Sequence, residues 1–220
     1  MALKLSFLPI VSARCHGVNT VVTPIKYQSE YQMTKSALLL VDIQNDYFPS
    51  FDGSKMPLPN MDAAGAKAAN LLNSARESGL KVIHVKHVMA SDKAPFFHPA
   101  TKGAELHDSV APSSGEVVVE KAKPNSFVGT NLKQLLREQQ IEHLIICGAM
   151  SQMCVDATVR AGSDLGFKVT VAHDACAAAN IAHDDVSVPS AKVHAAIMAP
   201  LASSYAEVLP TSDINLNVLG

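Results

Sequence analysis

Five short runs of aliphatic and β-branched residues recur along the chain: ALLLVDI (37–43), LKVIHVKHV (80–88), EVVVEK (116–121), EHLIICG (142–148) and FKVTVAH (167–173). Their apolar character is nearly continuous rather than alternating, which marks strands buried on both faces, as in a parallel sheet. Between them lie segments with helical spacing, 62–78, 129–139 and 152–165, the first and last stopped by Gly79 and Gly166. A further helix over 190–199, ended by Pro200, and a short strand at 206–209 close the pattern. Strands alternating with helices predict an α/β domain, a three-layer α/β/α sandwich around a mainly parallel sheet. The stretch 49–60, with prolines at 49, 57 and 59, reads as a loop over the ligand crevice of such a sheet.

At 220 residues the chain has the length of one domain, and it falls into an N-terminal extension, 1–34, and a single domain, 35–220. The extension carries one acidic residue, Glu30, in its first 32 positions, and Lys4, Pro9 and Arg14 interrupt any signal-peptide core. It is expected to pack on the domain or on a neighbouring subunit. With 18 Lys+Arg against 20 Asp+Glu there is no surplus of positive charge for nucleic acid. No apolar run approaches the length of a membrane span. The four cysteines, at 15, 147, 154 and 176, have neither C-x-x-C spacing nor the density of a disulfide scaffold, so a reducing, cytoplasmic location is expected.

In an open parallel sheet the ligand crevice lies beyond the carboxyl ends of the strands. That filter selects three ionisable residues: Asp42 after the first strand, Lys121 ending the third and Cys154 just past the fourth. Cys154 falls near the start of a predicted helix, where free amide N–H groups and the dipole favour a thiolate and offer donors to an oxyanion. Each residue alone has an ordinary reading. A cysteine is commonly a small buried hydrophobe, as expected for Cys147 and Cys176; Asp46 and Asp174 read as caps, and Lys123 as a solvated lysine. Convergence of the three on one crevice is what points to chemistry.

The blocks ALLLVDIQNDYF (37–48), VVVEKAKPNSFVGTNL (117–132) and LIICGAMSQMCVDATVRAGSDLGFKVTVAHDACA (144–177) resemble those of the isochorismatase-like cysteine hydrolase superfamily, over roughly residues 36–208. The resemblance implies that superfamily's Rossmann-like fold. It makes Asp42, Lys121 and Cys154 a catalytic triad, the Ala149–Met150 peptide a cis bond, and the Met150 and Cys154 amides an oxyanion hole. It further implies hydrolysis of a C–N bond in a small amide or ureide through a thioester, without a cofactor, in a homo-oligomer. Phe48, His98, Asn125 and Phe127, with Phe96 and Phe97, are candidate pocket residues. Isochorismatase-type and nicotinamidase-type activities are the alternatives, as is a non-catalytic binding protein that keeps the fold. Cys154 argues against the first, and the lack of an Asp-x-His pair against the metal-assisted second. Asp52 lies in the corresponding loop, whereas His84, His87, His98 and His107 lack ligand spacing and read as satisfied or solvated histidines.

Overall fold

The computed structural model describes residues 35–91 and 93–216; the expected extension, 1–34, lies outside the described residues. Six strands form one parallel sheet: β1 (Ser36–Val41), β2 (Lys81–His87), β3 (Val117–Lys121), β4 (His143–Ala149), β5 (Lys168–Ala177) and β8 (Glu207–Leu209), in the order β3-β2-β1-β4-β5-β8. Every residue of β1 is buried, because helices cover both faces of the sheet and β2 and β4 flank it in register. The chain builds outward from β1 through β2 to β3. It then returns to the other side of β1 for β4, β5 and β8, so the switch in winding direction falls between β1 and β4. There the crossovers diverge and leave room above the strand ends.

Helix α1 (Met61–Glu77) buries Met61, Ala64, Gly65, Ala68, Leu71, Leu72 and Ala75, the i, i+3, i+4 stripe of a helix lying on a sheet. The remaining helices are α2 (Leu132–Glu138), α3 (Asp156–Asp164) and α4 (Ser190–Ser204). Among the described residues no helix is long and apolar enough to cross a membrane.

Helix α2 starts at Leu132 rather than 129, and helix α4, strand β5 and an added hairpin also depart from the sequence expectation. Helix α4 does not stop at Pro200 but continues to Ser204. Leu201, fully buried, anchors the last turn, and that burial outweighs the N–H lost to proline. Strand β5 runs on past His173 to Ala177. A register shift between Ile146 and Gly148 of β4 lets the polar His173 and Asp174 occur inside a strand that still pairs at Cys176 and Ala177. A small antiparallel hairpin, β6 (Ile181–His183) and β7 (Val186–Val188), is an addition; its three-residue arms are too short to leave a periodic signal.

His143 ties the sheet centre together. It is buried, 3.3 Å from Ser36 Oγ of β1 and 2.9 Å from Thr170 Oγ1 of β5. Burial first, then the Lys168 charge, pushes its pKa down to about 4. The unfolded chain therefore binds a proton below pH about 6.5 that the folded chain refuses until pH about 4. Stability is expected to fall by roughly 3 kcal/mol over that window. Urea midpoints at pH 7, 5.5 and 4.5 should converge in His143→Gln relative to the parent, isolating this contribution from the other histidines.

Candidate active site

The site assembles where β1, β3 and β4 end. The chain leaves β1 through Asp42 at φ 53°, a left-handed conformation that costs a residue with a Cβ roughly 1–2 kcal/mol. Hydrogen bonds hold it there: the Asp42 N–H donates to the Val85 carbonyl, and its carbonyl accepts from the Gln44 N–H, both at 2.9 Å. Lys121, the last residue of β3, lies in register with His87 at the end of β2. Its ammonium reaches across that strand to within 2.8 Å of Asp42 Oδ2, and it also donates to the Pro124 carbonyl at 2.9 Å.

On the other side of β1, Gly148 adopts φ 128°, and a Cβ there would overlap the Val41 carbonyl oxygen. Only glycine lets the ends of β1 and β4 approach this closely. The Ala149–Met150 peptide that follows is cis. The chain then makes one wide π-type turn, Ser151–Val155, with the Val155 N–H on the Met150 carbonyl at 3.2 Å, before α3 begins. Such turns recur at functional sites because the bulge re-aims a side chain. Ser151 ties the turn down by donating from Oγ to the Ala177 carbonyl at 3.1 Å, with His194 Nδ1 2.9 Å away.

Cys154 sits on that turn. Its sulfur is 3.8 Å from His87 Nδ1, which is itself 3.7 Å from Asp42 Oδ2. Asp42 is fully buried, and Lys121 and Cys154 are each 3% exposed and His87 7%. The structure thus brings together the three residues expected from the sequence and adds His87, which the sequence reads as a satisfied or solvated histidine. The strand-end criterion would have found it, since His87 ends β2 as Lys121 ends β3. Its backbone is clamped by one buried side chain: Gln44 Oε1 accepts from the His87 N–H at 2.7 Å, and Gln44 Nε2 donates to the His87 and Ala104 carbonyls at 2.9 and 2.8 Å.

The expectation that a helix terminus would favour the Cys154 thiolate is corrected. Burial, and next the Asp42 carboxylate, hold the thiol well above the usual range, and Lys121 offsets only part of this.

The proposed pocket residues scatter. Phe48 is not a pocket wall: its buried ring stacks on His107 at 3.6 Å and fills the space beside Gly65 of α1. Phe127 stacks on Phe167 at 6.2 Å and packs towards Gly162 of α3, a structural position as well. Asn125 accepts from the Phe127 N–H at 2.9 Å in the turn that also carries Pro124, which keeps it close to Lys121. His98 rims a cleft of about 420 Å³ with Phe51, Asp52, Phe96 and Lys102. Phe97 is buried against Tyr47, with the His87 ring 6.1 Å away. His84 Nε2 lies 2.9 Å from Glu116 Oε2, while its buried Nδ1 has no hydrogen-bond partner among the described residues, so it is only half satisfied. Lys123 is exposed.

An isochorismatase domain model matches residues 36–205. The isochorismatase family protein YddQ of Bacillus subtilis is 46% identical over 176 residues, 80% of this chain and 96% of that protein. The crystal structure of an isochorismatase hydrolase from Oleispira antarctica superposes with a TM-score of 0.79 at 45% identity, covering 85% of this chain and 97% of that one. The maleamate amidohydrolase of Pseudomonas putida is 29% identical over 153 residues, 64% of this chain and 71% of its own length.

The raised thiol sets an expectation that separates electrostatics from turnover. Alkylation of Cys154 by iodoacetamide should still be climbing at pH 9. Asp42→Asn, which removes one cause of the elevation, should move the pH profile of alkylation to lower pH, read by mass spectrometry of the Cys154 peptide. A profile that stays put or moves to higher pH in that variant would contradict the assigned cause.

Proposed function

Because this chain belongs to the isochorismatase family of hydrolases, we propose that it cleaves a C–N bond in a small amide or ureide, with Cys154 as nucleophile, Asp42 as proton carrier and Lys121 as charge stabiliser. One observation carries the reading: an ion pair of 2.8 Å between Asp42 and Lys121, both buried, beside a buried thiol. A buried ion pair is a poor way to stabilise a fold, since apolar residues of similar volume do as well or better. Its position at the topological switch point supports a chemical purpose instead.

Asp42 takes the thiol proton as the Cys154 sulfur forms a bond to the substrate carbonyl carbon. The carbonyl electrons move to oxygen, where the Met150 and Cys154 backbone amides are assigned as donors. The C–N bond breaks as the proton passes from Asp42 to nitrogen, leaving a thioester and releasing ammonia or an amine. Asp42 then takes a proton from water as its oxygen adds to the thioester, and the C–S bond breaks with return of the proton to sulfur. A thiol that is neutral at rest suits this sequence, because proton transfer and attack are coupled. Lys121 stays within reach of Asp42 throughout and offsets the negative charge that develops.

The maleamate amidohydrolase relative supports C–N cleavage over the vinyl-ether chemistry of isochorismatase itself. A reducing, cytoplasmic setting suits the free thiols of Cys147, Cys154 and Cys176. Self-association is part of the same reading, through the exposed alanine face of α4, Ala195, Ala196, Ala199 and Ala202.

Ammonia release from a panel of small amides and ureides tests the assignment. Cys154→Ala should lose at least about 10³-fold in kcat/KM with its melting temperature retained, and Asp42→Asn nearly as much. Lys121→Met should lose about 10²-fold or more, and Lys123→Met should stay within about twofold. Activity that survives in Cys154→Ala would remove the covalent route. The route uses no metal, so chelator should not lower the rate.

A further inference from the structure

Two of the three side chains assigned to the nucleophile, Cys154 and Asp42, also make a ligand set with His87. Cys154 Sγ, His87 Nδ1 and an Asp42 carboxylate oxygen all lie within 4.8 Å of one another, a sulfur, a nitrogen and an oxygen donor from the turn after β4, the end of β2 and the residue after β1. Zinc bonds such donors at about 2.3, 2.0–2.1 and 2.0–2.2 Å, so tetrahedral angles place neighbouring donors about 3.3–3.6 Å apart. The Cys154–His87 separation of 3.8 Å and the 3.7 Å from His87 to Asp42 Oδ2 need to close by only a few tenths of an ångström, and the Cys154–Asp42 pair lies within 4.8 Å. Two further features favour a cation. Asp42 Oδ1 is buried without a hydrogen-bond partner, and the His87 backbone is pinned by Gln44, which fixes where the side chain starts from.

We infer that this site binds a zinc-class divalent cation through Cys154, His87 and Asp42, reversibly, and that occupancy shuts the enzyme off. The mixed S/N/O set selects zinc over magnesium or calcium, which need oxygen donors in greater number. On binding, the thiol releases its proton to solvent as the sulfur–zinc bond forms. Thiolate and carboxylate together then balance the ion's two charges. Coordination occupies the sulfur lone pair that would attack substrate, and it engages the carboxylate that would carry the proton. Three ligands leave the fourth position to water, and His87 Nε2 has no partner to brace the ring from behind. Both features make the site weaker than a closed structural zinc site, hence reversible. Lys121, 2.8 Å from Asp42 Oδ2, repels the cation and sets the affinity further down. The inhibitory consequence rests on Cys154 being the nucleophile proposed above; the binding itself does not.

Cobalt(II) serves as the spectroscopic probe on the metal-stripped full chain. Wild type should develop a near-ultraviolet sulfur-to-cobalt charge-transfer band and visible tetrahedral d–d bands, both abolished by one equivalent of zinc. Cys154→Ser should lose the charge-transfer band, and His87→Gln should weaken binding about tenfold or more at unchanged melting temperature. Lys121→Met should bind more tightly. In wild type, zinc should also protect Cys154 from iodoacetamide, and EDTA should restore labelling, which needs no variant to fold. Absence of cobalt absorption up to millimolar metal, or affinity unchanged in His87→Gln, overturns the inference. These readouts require no turnover, so loss of the amide-hydrolase reading and loss of the metal site are distinguishable. If both stand, micromolar zinc stops ammonia release and EDTA returns it.

Discussion

The rest of the site depends on a single buried ion pair, Asp42 with Lys121. Placing two charges where neither is solvated costs several kcal/mol per ion before their attraction is counted, and the pair survives only with fixed geometry and satisfied neighbours. The parallel sheet supplies both. Asp42 and Lys121 end strands that flank β2, so their separation is set by two strand spacings and a lysine side chain long enough to cross them. The Pro124 carbonyl takes one of the remaining ammonium protons. Removing either partner would strand the other charge in a low-dielectric interior, so the catalytic roles proposed for these two positions are coupled to stability.

Backbone geometry around the pair is equally constrained. Gly148 against the Val41 carbonyl, the left-handed Asp42 and the wide turn at Ser151–Val155 are all departures from regular structure, and all lie within one strand spacing of the switch point. Each costs energy that the surrounding sheet must offset. Gln44 shows how: one side chain two residues past Asp42 bonds both backbone groups of His87 and the carbonyl of Ala104, joining the turn after β1 to β2 and to the loop beyond. The local strain is confined because its neighbours are over-determined.

The strands, most helix boundaries and the three converging residues were legible in the sequence because they depend on local periodicity and on a rule about strand ends. What was not legible depends on tertiary burial. The Cys154 thiol is raised because the turn is packed under α4 and beside Asp42, neither of which a helix-terminus argument includes. Phe48 and Phe127 sit next to site residues in sequence, yet their rings turn to α1 and α3, since an aromatic residue near a loop is as ready to fill core as to line a pocket. His87 is hidden in the sequence for a different reason: it has no patterned spacing to another histidine, and its partners are a cysteine and an aspartate brought in from beyond two other strands.

Lys121 resolves an apparent conflict in the site. A thiol, an imidazole and a carboxylate within bonding distance of one cation form a potential metal trap, and a nucleophile caught in such a trap does no chemistry. An ammonium 2.8 Å from the carboxylate opposes every cation that would enter, while it favours every anion that forms during attack on a carbonyl. In a site this buried the opposition is little screened by salt. On the proposed reading, the charge that favours the reaction is also the charge that opposes the inferred metal binding, and the two effects cannot be tuned independently by any substitution at residue 121.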